Sequence, residues 1–362
     1  MQYRKKALIT GALLLCSIGI HLYSADRIRV EQDYSLKTFP LLSRILRSAF
    51  GNIPFSIGDI LYAAVFIFLL ITIFKFLRNI FSRRKNNGGR YNIKGNLISI
   101  VMICSLLYII FNILWGINYN RIGIAGQLGL KSEKYSIEEL KTINKLLAEK
   151  INESKRALLL SKTLYPGNRQ LFLMTVNAYK NIAGIYPFLE YNNPSLKSSV
   201  WSSIGNFTGF VGYYNPFTGE AQVNTTVPAF TQPFTACHET AHQLGYAKEE
   251  EANFVGYLAA ASSTDTMFHY SVYADLFSYA NRTLYFADSS AAKNFRKKLL
   301  PEVIADFKAR NKFNKEHTSF AEPIFRKLYG VFLKSNKQPM GILSYDEVTA
   351  FIIAYYKKFG KI

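Results

Sequence analysis

Three long apolar segments near the start of the chain place the strongest limit on how it can fold. They cover residues 7–24, 57–77 and 97–119. Each is about long enough to cross the hydrocarbon core of a bilayer as a helix, which takes roughly 20 residues. The first segment follows basic residues, as a signal peptide does, but no small-residue cleavage site follows it cleanly and two more apolar segments come after it. We therefore interpret all three as transmembrane helices and the first as an uncleaved anchor.

The charge distribution orients these helices. The formal net charge is +20, and residues 1–119 hold 15 basic and 4 acidic side chains. Six of the basic residues lie in the loop at 78–96, which has no acidic residue, and three more lie at 4–6. Short basic loops stay on the cytoplasmic side of a membrane. We therefore expect a multi-pass protein of the cell inner (cytoplasmic) membrane, with a cytoplasmic N-terminus and an extracytoplasmic (periplasmic) C-terminal domain.

This topology also explains the basic composition. A sequence pI near 9.7 is often a sign of nucleic-acid binding. Here the excess of basic residues is densest in the part of the chain that holds the predicted spans. We therefore expect the lipid bilayer as a partner and no nucleic acid.

Length and patterning predict two parts. The chain has 362 residues, enough for two domains. We expect a membrane anchor at 1–119 and an extracytoplasmic domain at 120–362, mainly α with a small β-sheet. Cys237 is the only cysteine in the predicted exported part, which excludes a disulfide framework there. We expect Cys237 to be a buried small side chain.

The predicted exported domain combines helices with one hairpin. Ser136 and Glu139 match a capping box at the start of a helix that runs through about Leu160. Aromatic and β-branched residues around Asn-Pro and Thr-Gly at 209–224 predict a β-hairpin, whose second strand at about 220–225 is a candidate edge for holding an extended peptide. Further helices are predicted at 170–185, 270–287, 292–313, 318–334 and 345–359.

The strongest chemical signal is the sequence His238-Glu239-Thr240-Ala241-His242. On a helix, residues four apart share one face, so both imidazoles would point at one place, with Glu239 beside them. Two nitrogen ligands with a neighbouring carboxylate are the H-E-x-x-H arrangement of a catalytic zinc site. The pattern also arises by accident on amphipathic helices, and the acidic residues just downstream favour the metal site.

Local signals predict the limits of this helix. Thr231 is expected to cap its start, and Pro233 is tolerated in a first turn. Gly245 is a natural stop because glycine readily adopts a left-handed conformation. A second helix is expected to begin near Ala247.

A third metal ligand is expected from Glu249, Glu250 or Glu251. Glu249 lies three residues before Ala252 and seven before Gly256, and so shares the small-residue face that would pack on the first helix. We therefore prefer Glu249, and we expect Glu250 to lie nearer solvent. The three carboxylates could also simply complement the helix dipole.

Asn253, the residue directly after Ala252, has a predicted role of its own. Asn253 lies four residues after Glu249 and is placed to hydrogen-bond a liganding imidazole.

These motifs carry a resemblance to known families. His238-Glu239-x-x-His242 followed by Glu249-x-x-Ala252-Asn253 resembles the gluzincin-type zinc peptidases, although the gap between His242 and Glu249 is very short. The whole layout is similar to the membrane protein family named domain of unknown function 3810, most specifically at 209–224 and 237–258. The resemblance implies a zincin-like α+β metallopeptidase domain.

The resemblance also implies a mechanism. Zn²⁺ would be held by His238, His242 and Glu249, and a zinc-activated water would lose its proton to Glu239 as general base. His269, Tyr270 and Tyr273 are candidates for stabilising an oxyanion, selected by residue type alone. The expected substrates are peptides or proteins of the cell envelope.

Two other functions compete with this one. A non-enzymatic zinc-binding sensor or binding protein of the cell envelope would need the ligands and would not need Glu239. An intramembrane protease is excluded because His238 lies in no long apolar segment.

Overall fold

The computed structural model describes residues 2–83, 93–131, 134–336, 338 and 345–362. It is mainly helical with a small three-stranded sheet. The helices, numbered in chain order, are α1 Gln2–Tyr23, α2 Arg27–Arg29, α3 Phe39–Phe50, α4 Ile57–Arg83, α5 Ile93–Leu114, α6 Gly123–Gln127, α7 Ile137–Ser161, α8 Asn168–Ala183, α9 Ser202–Thr208, α10 Gln232–Gln243, α11 Glu249–Ala261, α12 Thr266–Ala287, α13 Ser289–Lys297, α14 Pro301–Glu316, α15 Ala321–Ser335 and α16 Tyr345–Phe359. A π-helix at Val30–Thr38 joins α2 to α3, and 3₁₀ turns cover Gly116–Asn120, Pro187–Leu189 and Ala229–Thr231.

Among the described residues, three helices are long and apolar enough to cross a membrane. The qualifying stretches are Arg4–Tyr23 in α1, Ile57–Lys75 in α4 and Gly95–Leu114 in α5. Their apolar side chains are largely uncovered by the rest of the chain, as expected of segments that face lipid. Residues 84–92 of the basic loop predicted to be cytoplasmic lie outside the described residues.

The predicted third span is wrong at its end. Helix α5 stops at Leu114, and the chain turns into the 3₁₀ segment Gly116–Asn120. Trp115, Ile117 and Tyr119 are buried against the protein rather than facing outward. Apolar residues of a protein core and of a membrane span have the same hydropathy, so the segment 97–119 did not show where one environment gave way to the other.

The residues between the first two spans form helices that pack on the rest of the molecule. Asp26 caps α2 by accepting hydrogen bonds from the amides of Ile28 and Arg29. A small apolar cluster, the juxtamembrane core, joins this region to the end of α5 and to the sheet. The juxtamembrane core consists of Val30, Tyr34, Phe39, Trp115, Ile117, Tyr119, Tyr214 and Ala247.

Most predicted helices are present, and one is divided. The capping box of Ser136 and Glu139 opens α7 as predicted. The single helix predicted at 292–313 is wrong, because α13 and α14 are separate. Pro301 occupies the first turn of α14, where its missing N–H does no harm, and buried Leu299 anchors the break.

The predicted hairpin is present in a three-stranded sheet. Its strands are β1 Leu196–Ser198, β2 Gly212–Asn215 and β3 Glu220–Val223, in the order β1-β3-β2. β3 pairs in parallel with β1 and antiparallel with β2, with Tyr213 opposite Gln222. The connecting turn is closed by the Asn215 side chain, which accepts hydrogen bonds from the next amides, and by Gly219 at φ +69°. Among the described residues β2 is therefore an edge strand.

The main core surrounds α10 and α11. Buried side chains of α8, α12 and α16 pack around this pair, α7 packs on α12, and the sheet lies against α10. Gly245, at φ +84°, makes the tight corner between the two helices as predicted. The pair is thus held in place from several sides.

Thr231 is the N-cap residue of α10, as predicted, but its side chain makes no capping hydrogen bond. Thr231 belongs to a 3₁₀ turn, and its hydroxyl donates to the carbonyl of Pro228 rather than accepting from the helix. Pro233 does lie in the first turn, as predicted.

Candidate metal centre

Helix α10 brings both histidines of the H-E-x-x-H sequence to one side. The rings of His238 and His242 have centroids 4.8 Å apart and meet edge to face. A ligand atom of each ring and a carboxylate oxygen of Glu239 all lie within 4.8 Å of one another. The four-residue spacing therefore places the two imidazoles on one side of α10, as the sequence predicts.

Glu249, the first residue of α11, faces both imidazoles. Its carboxylate oxygens lie 3.3 Å from His238 Nε2 and 3.7 Å from His242 Nε2. The close approach depends on Gly256. A Cβ at that position would lie 3.0 Å from the backbone nitrogen of His238, so any larger residue would push the helices apart. The preferred carboxylate of the acidic triplet is thus the one that the structure brings to the histidines.

The other ring nitrogens are held by hydrogen bonds. His242 Nδ1 lies 2.7 Å from the carbonyl oxygen of Tyr246, which can only accept, so Nδ1 carries the proton. His238 Nδ1 lies 2.9 Å from Asn253 Oδ1, as predicted for Asn253. Both rings therefore turn Nε2 toward Glu249, the tautomer that a metal ligand needs.

Trp115 fixes α10 at the end of the third candidate span. Its indole N–H donates to the carbonyl of His242 at 3.3 Å, and the two rings lie 6.0 Å apart. Since α5 ends at Leu114, His242 lies directly beside the end of this helix.

Glu239 lies at the edge of the sheet. Its side chain is buried, and Oε2 has no hydrogen-bond partner among the described residues. A Cβ on Gly212 of β2 would lie 2.4 Å from Glu239 Oε1, so a larger residue at this position would force the Glu239 side chain to move. Burial, with a contribution from Glu249, raises the pKa of Glu239 to about 8 against the opposing effect of His238.

The ionisable side chains of His238, Glu249 and His242 balance one another's charges when no metal is bound. Burial opposes charge on His238, but Glu249 and Glu239 outweigh it and raise the His238 pKa to about 9. Burial would raise the pKa of Glu249, and the two histidines instead lower it to about 2. Burial lowers the pKa of His242 to about 4, so its ring is neutral. At neutral pH these shifts favour a protonated His238 beside an ionised Glu249.

The other two acidic residues are directed elsewhere. Glu250 was expected near solvent, and this is wrong: the residue is only 5% exposed. Burial raises its pKa to about 8. Glu251 is also buried and lies 3.4 Å from Lys248 Nζ, against Gly123 at the start of α6. Sequence periodicity could not show that other elements cover this face of α11.

One residue beside the centre was not predicted. The hydroxyl of Tyr329, on α15, donates to Glu249 Oε1 at 2.5 Å. Tyr329 lies 80 residues further along the chain, and no local spacing connects it with the acidic triplet. Cys237, by contrast, is buried as predicted, and burial raises the pKa of its thiol.

The predicted oxyanion candidates have partners elsewhere. His269 Nε2 lies 2.8 Å from the carbonyl of Ser263. The hydroxyl of Tyr270 donates to Asp306, and Tyr273 is buried in the main core. Their assignment to the site stays a prediction without a supporting contact.

Comparison with known proteins relates the whole architecture to one family. The family described as Protein of unknown function (DUF3810) matches residues 34–353, which include the second and third candidate spans, the sheet and the candidate metal centre. Searches of curated proteins and of solved structures each returned no match. Because the match extends over most of the sequence, the chain belongs to the DUF3810 family of proteins of unknown function.

Proposed function

We propose that this protein is a membrane-anchored zinc peptidase with a zincin-like domain. One observation carries the proposal. The Nε2 atoms of His238 and His242 converge on the Glu249 carboxylate, and buried Glu239 lies beside them with one oxygen that has no partner in the described part of the chain. Ligand atoms around a tetrahedral zinc are about 3.3 Å apart, close to the observed separations of 3.3 and 3.7 Å.

The donor set fits zinc and leaves room for chemistry. Two imidazoles and one carboxylate are the ligands of catalytic zinc sites, which keep a fourth position open. When bound, zinc would polarise a carbonyl group and lower the pKa of water. The buried charges support this fit, because the extra proton on His238 and the ionised Glu249 together mark a place that favours a cation.

Glu239 is proposed to move the proton. Its raised pKa, about 8 in the absence of a metal, lies near the pH at which an efficient base exchanges protons. Glu239 would accept a proton from the attacking water and donate it to the leaving amine. The unpartnered Oε2 leaves one oxygen available for this role.

The edge strand β2 is proposed to hold the substrate. Gly212 brings the strand into contact with Glu239, and no other described strand pairs with the outer side of β2. An extended peptide could add to this edge through main-chain hydrogen bonds. The second strand of the hairpin, β3, was predicted as the peptide-binding edge, and this is wrong because β3 lies in the middle of the sheet.

The membrane topology is part of the proposal. The basic residues at 4–6 and 78–96 favour a cytoplasmic N-terminus, which would place the metal centre on the periplasmic side of an inner membrane. Reporter fusions after Asn120 are expected to be active only as extracytoplasmic reporters. A cytoplasmic readout there would overturn both the topology and the proposed class of substrate.

The function is tested with purified full-length protein in detergent. Metal analysis is expected to give one zinc per chain, and a peptide library is expected to show cleavage that a chelator abolishes and zinc restores. Glu239→Gln is expected to abolish the cleavage, and Glu316→Gln serves as its matched control, because the Glu316 carboxylate is exposed at the end of α14. Stoichiometric zinc with no hydrolysis of any peptide would favour the non-enzymatic zinc-binding protein.

A further inference from the structure

Helix α15 exposes an unusually apolar surface. Ile324 is 55% exposed, Leu328 61% and Val331 57%, and Leu333 is its buried side chain. With about 100° of turn per residue, Phe325 and Phe332 extend the same stripe. By the same turn, Lys327 and Lys334 flank the stripe on one side and Arg326 lies opposite it. An apolar stripe with basic residues at its border is typical of helices that lie in the plane of a membrane surface.

The position of α15 matches this composition. The Phe332 ring meets Phe111 of α5 edge to face, with centroids 6.4 Å apart. Phe111 lies three residues before the end of the candidate span, which is about 4.5 Å along a helix. The apolar stripe of α15 therefore lies at the level where the third span would leave the hydrocarbon.

A second exposed helix links α15 to the other span. The Ser319 hydroxyl, just before α15, donates to the carbonyl of Phe207 in α9 at 2.6 Å. Ile204 and Phe207 of α9 are exposed. Just before α9, the amide of Val200 donates to Asp59 in the first turn of α4 at 2.7 Å. Contacts thus fix α9 beside the start of α4 and α15 beside the end of α5.

The same helix reaches the metal centre. Tyr329 stacks beside Phe332, with ring centroids 6.2 Å apart, and donates its hydroxyl to Glu249. Phe332, which contacts Phe111, and Tyr329, which contacts the metal centre, are therefore neighbours on one turn of α15.

We propose that α15 is an in-plane membrane helix that seats its apolar stripe in the acyl–headgroup boundary and covers the metal centre from the membrane side. The occupant of the stripe is the bilayer that the chain's own spans cross. The site would then act on polypeptide segments that lie at the membrane surface. This last consequence rests on the proposed peptidase function, whereas the seating of α15 does not.

The seating is tested by nitroxide labels on full-length protein reconstituted into lipid nanodiscs. Cys16→Ser and Cys104→Ser remove the two exposed thiols and leave buried Cys237. Leu328→Cys labels the apolar stripe, and Lys327→Cys, the adjacent residue, is the matched control on the polar side. The label at 328 is expected to collide with oxygen and to be protected from an aqueous nickel chelate, and the label at 327 is expected to do the reverse.

Two results would overturn the seating. Equal access of the nickel chelate to both labels would show that the stripe faces water. Protection of the label at 328 from both reagents would show that protein, a second copy or another chain, covers it.

The substrate class is tested separately. The best peptide from the library is presented free or attached to vesicles by a lipid anchor, and the anchored form is expected to be cleaved at least about tenfold faster. Leu328→Glu should remove that preference while leaving cleavage of the free peptide unchanged. Equal rates for both forms would refute the membrane-surface substrate. Absence of any cleavage would refute the peptidase function and this substrate class, while the label experiment still decides the seating.

Discussion

At the scale of single residues, the two imidazoles are fixed by hydrogen bonds that do not involve a metal. The Tyr246 carbonyl and the Asn253 amide each hold one Nδ1 atom, at 2.7 and 2.9 Å. Partners of this kind set the tautomer and the orientation of liganding histidines. The metal affinity of the centre should therefore depend on residues that would not themselves be ligands.

Asn253 provides the first test of this dependence. Asn253→Ala removes the acceptor at His238 Nδ1 and is expected to weaken zinc binding by about 10- to 100-fold. Asn253→Asp keeps an oxygen at this position and should retain most of the affinity. Competition with a zinc chelator measures both variants. Unchanged affinity in Asn253→Ala would show that the hydrogen bond does not support the centre.

The acidic triplet provides a second test, which concerns the carboxylate ligand. Glu249→Gln should lose stoichiometric zinc, because this carboxylate faces both Nε2 atoms. Glu250→Gln and Glu251→Gln are matched controls, since burial raises the pKa of both and glutamine resembles the protonated side chain. Zinc content of the purified variants is the measurement. Full loading of Glu249→Gln with loss in either control would show that the ligand is wrongly assigned.

At the scale of elements, the contact between α10 and α11 sets the separation of the ligands. Gly256 allows the two helix backbones to approach, and Gly245 supplies the corner that brings α11 back beside α10. Both features are local, and the sequence predicted both. The small-residue face placed Glu249 correctly because helical periodicity alone decides which residues share a side.

Gly256→Val tests this contact. The added carbons would meet the backbone of His238, so we expect a loss of about 1–3 kcal/mol in the free energy of unfolding and weaker zinc binding. Gly167→Val is the control, because a Cβ there meets nothing within 4 Å. It should leave zinc binding unchanged. Equal effects of the two substitutions on zinc affinity would contradict the role given to Gly256.

Features that depend on contacts between distant parts of the chain could not be predicted from the sequence. The burial of Glu250 comes from elements that cover α11, and the hydrogen bond from Tyr329 comes from a helix far along the chain. The predicted third span ends too late because Trp115 and Tyr119 are aromatic residues, which are common both in protein cores and at the ends of membrane spans. Periodicity and hydropathy describe one element at a time, whereas these features arise where elements meet.

At the scale of the whole molecule, the candidate spans and the rest of the chain are joined by buried polar contacts. Glu31 and Arg121 form a buried ion pair at 2.8 Å, and Glu31 also accepts from the amide of Ile122. The Glu220 carboxylate in β3 accepts from the amides of Ile57 and Gly58 at the start of α4. These contacts cross the division predicted at residues 119 and 120, so the spans hold the candidate centre in a fixed place.

Glu31→Gln is expected to weaken this connection. Removing one partner of a buried pair leaves the other charge uncompensated and costs about 3–5 kcal/mol of stability. Asp33→Asn, in an exposed pair with Lys37, should cost under about 1 kcal/mol. Unfolding of the detergent-solubilised variants measures the difference. Equal stabilities for the two variants would contradict the structural role of the pair.

The same pair predicts a dependence on pH. Burial opposes ionisation of Glu31, but the hydrogen bonds and charge of Arg121 prevail and lower its pKa. A lowered carboxylate pKa stabilises the fold above the pKa of the unfolded chain, and this contribution is lost as the pH falls through the folded value. Wild-type protein should therefore lose more stability on acidification than Glu31→Gln. Parallel acid profiles would contradict this prediction.

The most direct test of the central claim compares wild-type protein with Glu239→Gln, measuring zinc content and peptide hydrolysis in the same samples. Glu239 is proposed to transfer a proton and not to bind the metal. The variant is therefore expected to keep one zinc per chain and to lose hydrolysis by at least about a hundredfold. Hydrolysis at the wild-type rate in zinc-loaded Glu239→Gln would contradict the claim that this centre is a peptidase site with Glu239 as its base.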